Sequence, residues 1–167
     1  MKGVILRCLE EMVREKYGED LWREVAGGKN FPPTENVDDS VVLSILSGLC
    51  IRTGKTLDTI AEEFGRYWIG VYSQRLYKNF FIEAENARDF ILKVDEIHQI
   101  MTKNVDTKPP RFMYEWKDEA TLIMRYESER KLIDLAVGLL KGVAEYYGED
   151  IDVRKIDDEK IEVKFNR

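Results

Sequence analysis

VDEIHQIMTKNVDTKPPRFMYEW, residues 94–116, holds the turning point of this sequence. Its first part sets Val94, Ile97 and Met101, with His98 among them, at the three- and four-residue spacing of one helix face. Pro109 and Pro110 then exclude further helix. After them "RFMYEW" alternates apolar and polar, the period of a strand with one buried face. The periodicity switches here, and the chain divides here.

Upstream, the apolar spacing predicts helices. Val4, Ile5, Cys8, Leu9, Met12 and Val13 form a stripe over residues 4–17 that ends near Gly18. A short helix over 21–25 precedes the loop "GGKNFPPTEN", and the stretches 38–50 and 57–72 read as helix too. A longer helix is predicted over 84–105, with Phe90, Ile91, Val94, Ile97, Met101 and Val105 on one buried face. Downstream, "RFMYEW" and "ATLIMRY" flank the polar turn "KDE" as a hairpin. A helix over 131–147 follows, and "IDVRKI" and "KIEVKF" close the chain as a second alternating pair. Gly138 and Gly142, one turn apart, permit close helix packing, either between the two halves or within one core. The expected fold class is therefore α+β in a single domain over 1–167. An N-terminal helical subdomain covers about 1–107, and a C-terminal subdomain over about 108–167 holds a small four-stranded antiparallel sheet and a packed helix.

Composition narrows the function. The chain has 167 residues, enough for one core, with 44% hydrophobic and 35% charged residues, as expected of a globular protein. Its net charge of -6 and interleaved basic residues argue against a nucleic-acid partner. No apolar run reaches the roughly 20 residues of a membrane span, and acidic residues follow closely on the apolar start, unlike a signal peptide. Cys8 and Cys50 lie far apart without metal-ligand spacing, which suits a reducing compartment. A cytoplasmic protein with no direct membrane insertion is expected.

His98 is the only histidine. On a buried helix face both of its nitrogens need partners, from hydrogen bonds or from a metal. Position alone favours a hydrogen-bonded core histidine. A single imidazole excludes two-histidine metal sites, and no Cys/His cluster completes a zinc site. One buried histidine can, however, ligate a heme iron, since the porphyrin supplies the other four ligands. Heme also needs a grip on two propionates. The stretch "YESERK" places Tyr126, Ser128 and Arg130 on one side if strand geometry persists, at about 3.3 Å per residue. Two hydroxyls and a guanidinium fork would suit carboxylates, though a strand end with a solvated arginine has the same pattern.

A lone histidine late in a helix, then "PPRF", then a hairpin ending in Tyr-x-Ser-x-Arg resembles the H-NOX family of heme–nitric oxide/oxygen binding domains, similar to the sensor domain of soluble guanylate cyclase. "MKGVILRCLEEMVREKYGEDLW" and "EFGRYW" resemble that family too, so the likeness spans essentially the whole chain. The resemblance implies heme b between the two subdomains. It makes His98 the proximal iron ligand, makes Tyr126, Ser128 and Arg130 the propionate-binding motif, and makes Pro110 the residue that presses on and distorts the porphyrin. It also implies a distal pocket of Ile5, Leu9, Trp68, Leu135 and Leu139.

Oxygen-binding members place a tyrosine where this chain has Leu135. Trp68 stands at a position that is polar in one such member, and Leu9 where that member has tryptophan. An apolar pocket gives oxygen nothing to bond to, which favours nitric oxide and carbon monoxide. Trp68 is the one expected donor, with Tyr67 and Tyr72 nearby in sequence. The resemblance further implies a non-enzymatic switch, in which the iron–histidine bond weakens and the halves move. The signal would pass to a partner such as a histidine kinase, a cyclic-di-GMP enzyme or a chemoreceptor. The alternatives are an oxygen-binding heme sensor, an iron-free module for another small molecule, and a heme enzyme such as a peroxidase. The last would need distal polar groups that a chain with one histidine is poorly equipped to supply.

Overall fold

Helical spacing upstream of the prolines becomes a run of helices in the computed structural model, which describes residues 1–103 and 108–166. They are α1 (Gly3–Tyr17), α2 (Glu19–Ala26), α3 (Asp39–Thr53), α4 (Leu57–Tyr67), α5 (Ser73–Leu76), α6 (Lys78–Glu83), α7 (Ala87–Leu92) and α8 (Val94–Thr102). Side-chain caps fix two of their starts: Asp38 accepts from the Ser40 N–H at 2.8 Å, and Asn86 from the Asp89 N–H at 2.8 Å. Beyond the prolines come β1 (Arg111–Trp116), β2 (Thr121–Glu127), α9 (Ile133–Tyr147), β3 (Ile151–Lys155) and β4 (Lys160–Phe165). The strands form one antiparallel sheet in the order β1-β2-β4-β3.

The register puts Tyr114 opposite Met124, Met124 opposite Ile161, and Val163 opposite Val153. Their side chains share one face, which α9 covers with Ile133, Val137, Leu140 and Val143 in the same core. A second core joins α1, α2, α3 and α4 around Leu6, Met12, Ile45, Leu49 and Ile60. Trp68 and Leu139 pack against both cores. The halves touch where α4 crosses α9. A methyl group on Gly65 would overlap the Gly138 carbonyl, and one on Gly138 would overlap the Ala61 carbonyl. A Cβ on Gly142 would come within 2.6 Å of the Gly65 carbonyl oxygen. Of the two roles open to Gly138 and Gly142, the structure gives contact between the halves.

The α+β expectation holds, with three differences in detail. The predicted helix over 84–105 is two helices, interrupted at Lys93 (φ -96°, ψ -4°), and its Val105 lies outside the described residues. The break redirects α8 along β1, whose side chains and backbone it meets through Asp95. Secondly, α8 has no fully buried residue: Val94, Ile97, His98 and Met101 are half-buried, because that face borders a cavity instead of a packed core. Finally, the predicted helix over 57–72 changes pitch at Trp68, and a π-turn occupies Trp68–Tyr72. The Ser73 hydroxyl and the Gln74 amide both donate to the Ile69 carbonyl there, at 3.2 and 2.9 Å. No single helix among the described residues is long and apolar enough to cross a membrane.

Candidate functional site

Between the two cores lies a cavity of about 560 Å³, within the range of small-molecule and cofactor sites. One wall is α8, with Val94, Ile97, His98 and Met101; the lead-in to β1 adds Pro109, Pro110 and Phe112. The opposite side is built from Ile5 on α1, Trp68 in the π-turn, and Leu135 and Leu139 on α9. Tyr126, Ser128 and Arg130 reach the same cavity. Residues spread over most of the chain therefore converge on one space.

Leu9 is the exception among the residues expected there. It is 3% exposed and packed in the helical core, one turn along α1 from Ile5, and it is not among the cavity's lining residues. The premise for the hydroxyl row also needs correction. Strand β2 ends at Glu127, and the chain turns through Lys131 at φ 52°, so strand geometry does not carry Ser128 and Arg130 into line with Tyr126. A tight turn brings them to the cavity instead, with the Ser128 hydroxyl accepting from the Arg130 N–H at 3.3 Å.

The His98 ring stacks on Phe112 with centroids 5.8 Å apart and 29° between planes. Its Nδ1 is buried and has no hydrogen-bond partner among the described residues. A histidine held in a core by two hydrogen bonds does not leave a nitrogen in that state. Burial pushes the imidazole pKa below its ordinary value, and the Asp95 carboxylate only partly opposes this. The ring is thereby kept neutral, the form that can ligate a metal.

Arg130 is held from two directions. Its Nε donates to Asp39 Oδ1 at 2.9 Å, and Nη1 donates to the Lys108 carbonyl at 2.8 Å. The Met1 amino group donates to the same Asp39 oxygen at 2.8 Å and to the Val37 carbonyl at 2.7 Å. Burial alone would raise the Asp39 pKa, but hydrogen bonds from the Met1 amino group and Arg130 outweigh it and hold the carboxyl below its ordinary value. The fork is thus oriented, with N–H groups left for a further carboxylate. Tyr126 is buried, with its ring against Phe112 at 5.6 Å. An apolar chamber, a neutral imidazole with a buried unpartnered nitrogen, and an arginine fork beside two hydroxyls fit a flat apolar group with carboxylate tails. Heme is such a group.

The sequence matches the Haem-NO-binding family over residues 2–155. The chain belongs to the H-NOX family. Among solved structures, an oxygen-binding H-NOX domain related to soluble guanylate cyclases superposes with a TM-score of 0.84 at 27% identity, covering 100% of this chain and 96% of that one. An H-NOX from Cs, carrying an unnatural amino acid at its site 5, gives 0.87 at 26%, covering 100% and 97%. An H-NOX protein from S. oneidensis in its Fe(II)NO ligation state shares the fold, with a TM-score of 0.89 at 18% identity, covering 100% of each chain. Soluble guanylate cyclase 89Da of Drosophila melanogaster is 26% identical over 166 residues, covering 94% of this chain and 25% of its own length. Soluble guanylate cyclase gcy-34 of Caenorhabditis elegans is 26% identical over 156 residues, covering 86% and 23%. The chain thus spans about a quarter of the curated relatives it matches. H-NOX domains bind heme and sense gaseous ligands; they are sensor domains and not catalytic ones.

Asp39 and Tyr77 act in this H-NOX site without having been singled out by sequence. Asp39 orients Arg130 from a distance of 91 positions along the chain. Tyr77 lines the cavity and stacks on Trp68 at 6.1 Å, and neither its hydroxyl nor the Trp68 indole has a hydrogen-bond partner among the described residues. Tyr67 and Tyr72 do not line the cavity, and the Tyr67 hydroxyl donates to Glu15 at 2.9 Å.

Proposed function

We propose that this H-NOX domain is a nitric oxide sensor that holds heme b through His98 and discriminates against oxygen. When bound, heme supplies an iron that can take up a diatomic gas. The protein's part is to hold, shield and couple. His98 offers the ligand nitrogen, Tyr126, Ser128 and Arg130 receive the propionates, and Pro110 lies against the ring. Ile5, Trp68, Leu135 and Leu139 form the gas side. Leu135 carries the reading: an aliphatic side chain at this cavity wall donates no hydrogen bond, and oxygen gains more from a donor than nitric oxide or carbon monoxide does. His98 stands on α8, and Pro110 leads into β1, so a shift at either reaches the sheet first. A partner would read that shift; a histidine kinase, a cyclic-di-GMP enzyme or a chemoreceptor fits, as does a cyclase module like those of the curated relatives. A cytoplasmic setting belongs to the same reading.

One observation favours a second reading. The Trp68 indole N–H and the Tyr77 hydroxyl lack protein partners among the described residues and border the gas side, so either would suit an oxygen sensor. The test is the absorption spectrum of the reduced, heme-loaded protein without gas, then in air, then with nitric oxide. The proposal expects a spectrum indifferent to air and changed by nitric oxide. A stable change in air would replace it with the oxygen reading.

A further inference from the structure

We infer that Asp95 is a positioning residue for His98, fixing the imidazole by clamping α8 to β1. The helix needs such a clamp. It has no fully buried residue, it is separated from α7 at Lys93, and one of its faces borders the cavity. Asp95 ties it down through both its side chain and its backbone. Its Oδ1 accepts from the Phe112 N–H at 2.8 Å and from Arg111 Nε at 3.1 Å. Its own N–H, one of the donors that the start of a helix leaves unpaired, donates to the Tyr114 hydroxyl at 3.1 Å. Burial pushes the Tyr114 pKa up to about 12, so this hydroxyl stays protonated across the working range of pH.

The geometry links the clamp to the imidazole. Asp95 lies three residues before His98, so the two side chains stand one above the other on the helix surface. Phe112, whose backbone Asp95 grips, is also the ring on which His98 stacks. One carboxylate therefore fixes both the helix that carries the imidazole and the surface it rests on. The Asp95 side chain is only 17% exposed, so water replaces these bonds poorly when they are lost. Through this clamp α8 moves with the sheet half, and a change felt at His98 is passed to β1.

The inference rests on His98 as the heme ligand, and its test separates the two. Asp95→Ala, Asp95→Asn and Tyr114→Phe would be made in the heme-loaded ferrous protein. Two quantities would be read: the iron–histidine stretching band by resonance Raman, and amide hydrogen exchange over 94–102. Asp95→Ala is expected to shift or broaden the band and to speed exchange about tenfold. Asp95→Asn keeps an oxygen that can accept from Phe112 and is expected to fall closer to the parent protein. An unshifted band in Asp95→Ala overturns the proposal, whatever the exchange. Should that variant not fold, the double variant Asp95→Asn with Tyr114→Phe, which weakens both the side-chain and the backbone tie, supplies the same readout, and parent-like values there overturn it equally. Absence of an iron–histidine band in the parent protein would instead remove His98 as ligand; parent-like exchange over 94–102 in the variants would then also remove the clamp.

Discussion

At the scale of single residues, His98 and Leu135 both depend on the apolar character of the same cavity. His98 must stay neutral to serve as a ligand, and burial favours that form. The sign follows from linkage. Its folded-state pKa lies below the ordinary 6.5, so the unfolded chain takes up the proton more readily. The stability this group contributes is present above pH 6.5 and is lost as pH falls from there through the folded-state value. Urea titrations of the heme-free protein should therefore show a declining midpoint below about pH 6.5, and His98→Gln should flatten that decline. Leu135 has a gain-of-function test. Leu135→Tyr should slow oxygen release relative to the parent protein, seen as a more persistent spectral change in air; an unchanged response would show that a hydroxyl at this position does not reach the gas. Both residues were legible in the sequence, one as the sole imidazole on a helical stripe and the other by counting from Arg130. Asp39 and Tyr77 were not. Asp39 meets Arg130 across 91 positions, and Tyr77 enters the cavity at the junction of two short helices, where no periodicity marks its direction.

At the scale of elements, strands were easier to read than helix ends. Alternation gave the four strands within a residue or so, because one face of the sheet is covered by α9 and the other is solvated. The helix break at Lys93 carries no glycine or proline, and tertiary bonds from Asp95 to β1 redirect the chain there. The short helix α6 was missed for a related reason: six residues do not display a full apolar period. The α4–α9 crossing is the element contact most sensitive to volume. Gly138→Ala should destabilise the fold by about 1–3 kcal/mol through overpacking, since its methyl group meets backbone and not a side chain that can turn away. Chemical denaturation measures this, and a loss well under that range would mean that the two helices separate at little cost.

At the scale of the whole molecule, two cores of separate composition face each other across a cavity, joined by backbone contact at the glycines and by the Arg130–Asp39–Met1 chain of hydrogen bonds. The division into helical and sheet halves was visible at the prolines. The cavity was expected from the family resemblance and not from periodicity, because an apolar stripe lining a ligand site has the same pattern as one packed into a core. The half-buried α8 is where that ambiguity is resolved. The central claim is that these halves close on heme through one side chain. Heme uptake by His98→Gly, followed by absorption with and without added imidazole, tests it most directly. The account predicts little ordinary heme spectrum without imidazole and its return when imidazole fills the space. A normal spectrum in the variant without imidazole would contradict it.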